Sequence, residues 1–140
     1  VYENFWTPRG NVFDIGITTR QAIERITKGE RPDLAGGFDV SSNGNGSLMR
    51  ILPLLFYIFD KPVNERYEIT KQVSSITHRH IRSVIACFYY LEFALQIFSG
   101  KDKFEIYKGI PKLTENFAGV GTRDINDNGV NAIISLFKNV

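Results

Sequence analysis

An all-α fold is what this sequence predicts, and three observations carry it. Apolar residues recur at helical spacing through most of the chain. No stretch alternates apolar and polar residues as a strand does, and glycines or prolines stand where the helical patterns stop. The 140 residues suit a single domain spanning 1–140, and a composition that is 43% apolar, with 11 Phe, can fill its core.

A first helix is expected over residues 19–28. Thr18 can cap it, Gln21 stands at the capping-box position, and Ile17 can pack back on the first turn. Ala22, Ile23 and Ile26 give it a narrow apolar face, and Gly29 suits the left-handed position past its end. Residues 29–46 then break the pattern with Gly36, Gly37, Gly44 and Gly46, and connections of that length are often functional. The loop ends in SSNGNGS and leads straight into LMRILPLLFYIF, a helix that Pro53 kinks or unwinds and Pro62 ends. Asn64 can cap a third helix through Ile76, with Tyr67, Ile69, Val73 and Ile76 facing inward.

After the turn Thr77-His78-Arg79-His80, a long helix runs to Ser99, where Gly100 stops it. Asp102 and Glu105 have capping-box spacing for a helix reaching Asn116. A second Gly- and Asp-rich loop, residues 118–129, precedes a last helical segment, residues 130–138. There is no internal repeat and no low-complexity tract.

Composition excludes several functions. Seventeen basic against 15 acidic residues leave a formal net charge of +2, too small an excess to imply nucleic acid. The single cysteine, Cys87, excludes an intramolecular disulfide framework and a multi-cysteine zinc site. The opening VYENFWTPRG carries no basic region followed by an apolar run, so no secretory signal is visible and a cytoplasmic setting is expected. Residues 81–99 have the length to cross a bilayer, but Arg82, Glu92 and Gln96 interrupt them. A core helix, and no membrane partner, is the expectation.

The chemistry-bearing candidates are few. The glycine-rich loop opening a helix can bring backbone N–H groups against an anion, with the positive end of the helix dipole behind them. It is neither a P-loop, lacking Gly-Lys-Ser/Thr, nor a dinucleotide fingerprint, lacking a preceding strand. Asp124, Asn126, Asn128 and Gly129 match the first half of an EF-hand loop. Ser135 stands at the twelfth position where a bidentate Glu is required, so an exposed turn with Asp127 or Asn128 capping the last helix is the expected outcome. His78 and His80 have no neighbouring carboxylate or thiolate to complete a metal site, and each could instead contact a ligand. Cys87, inside VIACFYYL, reads as a buried, inert thiol. Asp14, Asp33, Asp39 and Asp60 are scattered, so the residues themselves offer a phosphate cradle without catalytic machinery.

Taken in order, four segments resemble a known family: DIGITTRQAI at 14–23, SNGNGSLMRILPL at 42–54, ITHRH at 76–80, and INDNGVNAIISLF at 125–137. The chain resembles the ADP-ribosylglycohydrolases, all-α hydrolases that include dinitrogenase-reductase-activating glycohydrolase. Asn45 to Arg50 is the most specific part, and the likeness spans nearly the whole chain.

The resemblance implies an orthogonal helix bundle and metal-assisted cleavage of the glycosidic bond between ADP-ribose and a protein side chain, or of related ADP-ribosyl linkages. It implies magnesium held by an Asp-Asp-Thr element and a Gly-Gly-Asp-x-Asp-Thr element, neither of which occurs in this sequence. The chain therefore reads as the central, incomplete part of a longer domain, with no catalytic or metal-binding residue of its own and no activity alone. What the resemblance does carry over is ligand binding. Ser41, Ser42, Asn43, Gly44, Asn45, Gly46, Ser47 and His78 are expected to meet ADP-ribose, with Met49 and Arg50 supporting the loop. An ADP-ribose-binding module or pseudoenzyme is the alternative. Arg50 can equally tie down carbonyls without touching ligand.

Overall fold

The structure, a computed structural model, describes residue 7, residues 9–12 and residues 14–109. Six α-helices lie wholly within the described residues: α1 (Ile17–Thr27), α2 (Pro32–Ala35), α3 (Gly46–Ile51), α4 (Leu55–Ile58), α5 (Val63–Ser75) and α6 (Ile81–Phe98), and a further one begins at residue 103. Among these residues there is no strand, and the sole ladder-like contact is a parallel bridge between Gly37 and His78. The all-α expectation holds.

Helix ends fall where local chemistry puts them at the C-termini. Gly29 has φ +92 and Gly100 φ +83, the left-handed conformation that glycine alone adopts without strain. After α1, Gly29 N donates to the Ile26 carbonyl and Glu30 N to that of Arg25. After α6, Gly100 N and Lys101 N do the same to Ile97 and Gln96, so both helices close in Schellman motifs.

The N-termini depart from expectation. The start of α1 is Gly16, not Thr18, and no side chain caps it. Thr18 lies inside the helix, so the Thr18–Gln21 capping box does not form. Pro62, not Asn64, precedes α5, its fixed φ of −58 leading into the first turn. His80 caps α6 by accepting from Arg82 N through Nδ1. The expected loop 29–46 contains α2 and a 3₁₀ turn, Val40–Ser42. Pro53 sits in a second 3₁₀ turn, Leu52–Leu54, which joins α3 to α4 and realises the predicted kink. Asp102 caps a helix that starts at residue 103, its carboxylate accepting from Phe104 N and Glu105 N. The expected end of that helix, the loop 118–129 with its calcium-like pattern and the last helical segment lie outside the described residues.

The core lies where α3 and α4 meet α5 and α6. Ile51, Leu55, Ile58, Cys87 and Leu91 are buried together, with Ile69 and Val73 packed against them. Each large aliphatic chain in such a cluster is worth about 1.5–3 kcal/mol relative to exposure. Tyr67 and Phe88 make an edge-to-face pair with ring centroids 5.3 Å apart, tying α5 to α6. Helix α6 is long and apolar enough to cross a membrane by length and composition, yet between Ser83 and Glu92 it buries one side inside the protein and packs on α3, α4 and α5. Its one acidic residue, Glu92, is satisfied inside the protein. Arg66 Nε and Nη2 reach the two Glu92 oxygens at 2.6 Å each, and Arg66 Nη1 donates to the Lys61 carbonyl. Breaking such a buried pair by removing one partner costs about 3–5 kcal/mol.

Candidate functional site

Two segments far apart in sequence form the site: the loop entering α3 and the turn between α5 and α6. The turn is held first by its own helix. His78 N donates to the Ser74 carbonyl at 2.9 Å, and Ser74 Oγ donates back to the His78 carbonyl at 3.1 Å. The Gly36-Gly37 segment then lies alongside it. Gly36 N donates to the Ser75 carbonyl at 2.9 Å, and Arg79 N to the Gly37 carbonyl at 2.8 Å. A Cβ on Gly36 would press on the Ser75 carbonyl and stand 2.8 Å from His78 N, so the two backbones can touch only because residue 36 has no side chain.

The loop is built differently. The Asp39 carboxylate accepts from Ser42 N at 3.0 Å and from the Ser41 and Ser42 hydroxyls, closing the 3₁₀ turn on itself. Those hydroxyls hold the Asp39 carboxyl below its ordinary range. Ser83 Oγ on α6 then donates to Asn43 Oδ1 at 3.1 Å and lies 3.5 Å from the Gly44 carbonyl. Asn45 precedes α3 as its exposed N-cap.

Between loop and turn stands His78, which is 3% exposed. A Cβ on Gly46 would stand 2.6 Å from His78 Cε1, and one on Gly44 would stand 3.4 Å from Nε2. Neither glycine has a positive φ. Gly46 is therefore needed so that the imidazole can lie against the backbone, whereas a side chain on Gly44 would make only an ordinary contact with the ring. At Gly46 the protein's own histidine, rather than an anion, already requires the small residue.

Arg50 realises its tie-down reading. Its Nη2 donates to the Val73 carbonyl at 2.8 Å and to Thr77 Oγ1 at 2.9 Å, so one guanidinium holds the last turn of α5 and the residue before His78. His78 Nδ1 lies 2.9 Å from the same Thr77 oxygen. Burial first, and then the Arg50 charge, push the His78 pKa below its ordinary value, which keeps the ring neutral. Beneath the site, the Cys87 thiol lies 3.4 Å from Ser47 Oγ and 3.8 Å from Ser74 Oγ, and burial raises its pKa. The expected inert thiol is a buried polar contact between α3, α5 and α6.

The predicted site residues thus separate into three groups. Gly44, Asn45, Gly46 and His78 come together where α3 begins, termed here the opening. Ser41 and Ser42 turn to Asp39, Asn43 to Ser83, and Ser47, 1% exposed, to Cys87. Met49 is 79% exposed on α3, pointing away from the core. Sequence reasoning missed Gly36, Gly37, Thr77 and Ser83. The adjacent glycines were one available signal, since a Gly-Gly pair can mark close backbone approach, and Thr77 within ITHRH was another.

Magnesium, the cofactor the resemblance implies, does not fit the described residues. No group of three or more His, Cys, Asp or Glu side chains converges among them. Asp33 pairs instead with Arg31 at 2.7 Å, Asp39 is taken by its serines, and Asp14 and Asp60 are exposed.

No curated protein and no solved structure matches the chain. The family model for ADP-ribosylglycohydrolase matches residues 1–136, which include both the loop and the histidine turn. That match, over nearly all of the sequence and an all-helical fold, places the chain in the ADP-ribosylglycohydrolase family.

Proposed function

We propose that this chain holds the ADP-ribosyl group of an ADP-ribosylated protein or related conjugate, as the ligand-binding part of a glycohydrolase. One observation carries the reading: a buried His78 whose Nε2 side lies against Gly44 and Gly46 where α3 begins. Backbone N–H groups at the start of a helical run favour an anion, and a neutral imidazole adds a donor or an acceptor for phosphate or ribose. In this reading Gly44, Asn45, Gly46 and His78 contact the ligand. Ser41, Ser42, Asn43 and Ser47 shape the loop, with Met49 and Arg50 supporting it.

Hydrolysis would replace the side-chain heteroatom on the anomeric carbon of the ribose by a water oxygen. The described residues gather no acidic cluster to hold a metal for that step. The sequence also lacks the Asp-Asp-Thr and Gly-Gly-Asp-x-Asp-Thr elements, and on that ground the 140-residue chain alone is expected to bind without cleaving. Calorimetric titration of the whole chain with ADP-ribose tests this: binding is expected, and Gly46→Val should abolish it by displacing His78. Absence of binding at high ligand concentration would sink the reading, and metal-dependent release of ADP-ribose by the purified chain would overturn the expected inactivity.

A binding module without hydrolase activity is the second reading, favoured by the same lack of gathered acidic groups. The reading frame decides between them. Flanking Asp-Asp-Thr and Gly-Gly-Asp-x-Asp-Thr elements support the hydrolase.

A further inference from the structure

We propose that Thr77 is a positioning residue that sets the tautomer of His78, so that the ring offers an Nε2–H donor to the Gly44–Gly46 opening. The inference rests on the ligand-binding reading above and deepens it by stating what the site can accept. The argument is one of hydrogen counting. A guanidinium only donates, so Thr77 Oγ1, 2.9 Å from Arg50 Nη2, must act there as acceptor. The hydroxyl has one proton left to give, and His78 Nδ1 lies 2.9 Å away. Among the described residues these are the two groups that bond the Thr77 hydroxyl. The oxygen has a second lone pair, but were Nδ1 to donate to it the hydroxyl proton would have no acceptor among the described residues. With Nδ1 as acceptor every group is satisfied, and a neutral imidazole then carries its single proton on Nε2.

The order Arg50 to Thr77 to His78 thereby runs in one direction, from a permanent cation to a donor at the opening. The opposite tautomer would present a lone pair there, which repels a phosphate oxygen and can only accept from a ribose hydroxyl. A donor of this kind suits an oxygen-rich, anionic ligand and needs no charge on the histidine. Backbone contacts from Ser74 and from the Gly36-Gly37 segment fix where the ring stands; Thr77 fixes which way its proton points.

Two-bond ¹⁵N–¹H correlation spectra of the full chain, labelled at histidine, read the tautomer with no ligand present. The sequence has 2 histidines, so the signals can be assigned with His80→Gln. The Nε2–H form is expected for His78 in the unaltered protein and in Thr77→Ser. A shift toward the mixed population of free imidazole is expected in Thr77→Val. ADP-ribose affinity should fall about tenfold in Thr77→Val and be restored in Thr77→Ser, the size of one lost hydrogen bond.

An Nδ1–H form in the unaltered protein would overturn the inference, as would an Nε2–H form that Thr77→Val leaves unchanged. If Thr77→Val does not fold, the unaltered protein and Thr77→Ser still decide, because the Nδ1–H form in either one refutes the relay. An Nε2–H form that responds to Thr77→Val supports the relay even where ADP-ribose does not bind, and in that case the functional reading alone fails.

Discussion

The two walls of the site are made by opposite means. The histidine turn is held from several directions by other parts of the chain: the end of α5, the Gly36-Gly37 segment and Arg50. The glycine loop is held mostly by itself, through Asp39 and its serines, with Ser83 as its pin to α6. One wall is buried and over-determined; the other is exposed at Gly44 and Asn45 and locally closed. The difference teaches that a ligand would meet a fixed donor on one side and an adjustable backbone on the other. Regions with few buried contacts open at lower cost than the core.

The contrast breaks most sharply at Gly36. Gly36→Val places a side chain against the Ser75 carbonyl and His78 N, backbone atoms that cannot yield without moving the turn. A loss of about 3 kcal/mol is expected, at the upper end of over-packing costs, read as a lower urea midpoint at unchanged slope. A midpoint close to that of the unaltered protein would show that the turn is not held there.

A smaller change sharpens the other wall. Ser83→Ala removes the hydroxyl that meets Asn43 and Gly44, for an expected cost of about 1 kcal/mol. Amide exchange should quicken at residues 44–46 and stay unchanged in the turn. Equal acceleration in both walls would erase the distinction between them.

The smallest effect is set by protons. His78 in the folded chain has a pKa below its ordinary 6.5, through burial and then Arg50, so the unfolded ring takes up a proton more readily. Its stabilising contribution is complete above that value and is lost as pH falls below it. Urea midpoints across roughly pH 5–8 should therefore decline toward acid, and His78→Gln should flatten the decline. An unchanged slope in that variant would assign the decline to other groups.

The helices were legible because each long one carries its own period and its own stop. Gly29 and Gly100 announce C-termini that depend on a few adjacent backbone groups. The starts were less legible because distant partners compete for the residues that could cap them. Thr18 approaches within 3.2 Å of where a Gly37 Cβ would stand, and Thr19 Oγ1 within 3.4 Å of one on Gly46, so both face the site from inside α1. Helix α2 has four residues, too few to show any period. Within the site, the loop and the histidine could be picked out from motif order. The reason for Gly46 could not, since it lies in an imidazole that the chain reaches only after α5. Ser41, Ser42 and Ser47 read as ligand contacts because a hydroxyl in a sequence does not reveal which neighbour it will bond.

The bridge between Gly37 and His78 has a kinetic consequence. The α5–α6 hairpin can form from neighbouring residues, but the opening requires residues 36–50 to return to it and close a long stretch of chain. Closing a loop costs entropy before any contact made by the closure can repay it. During refolding, helical signal should therefore appear ahead of the burial of His78, and the binding opening should be among the last features to assemble.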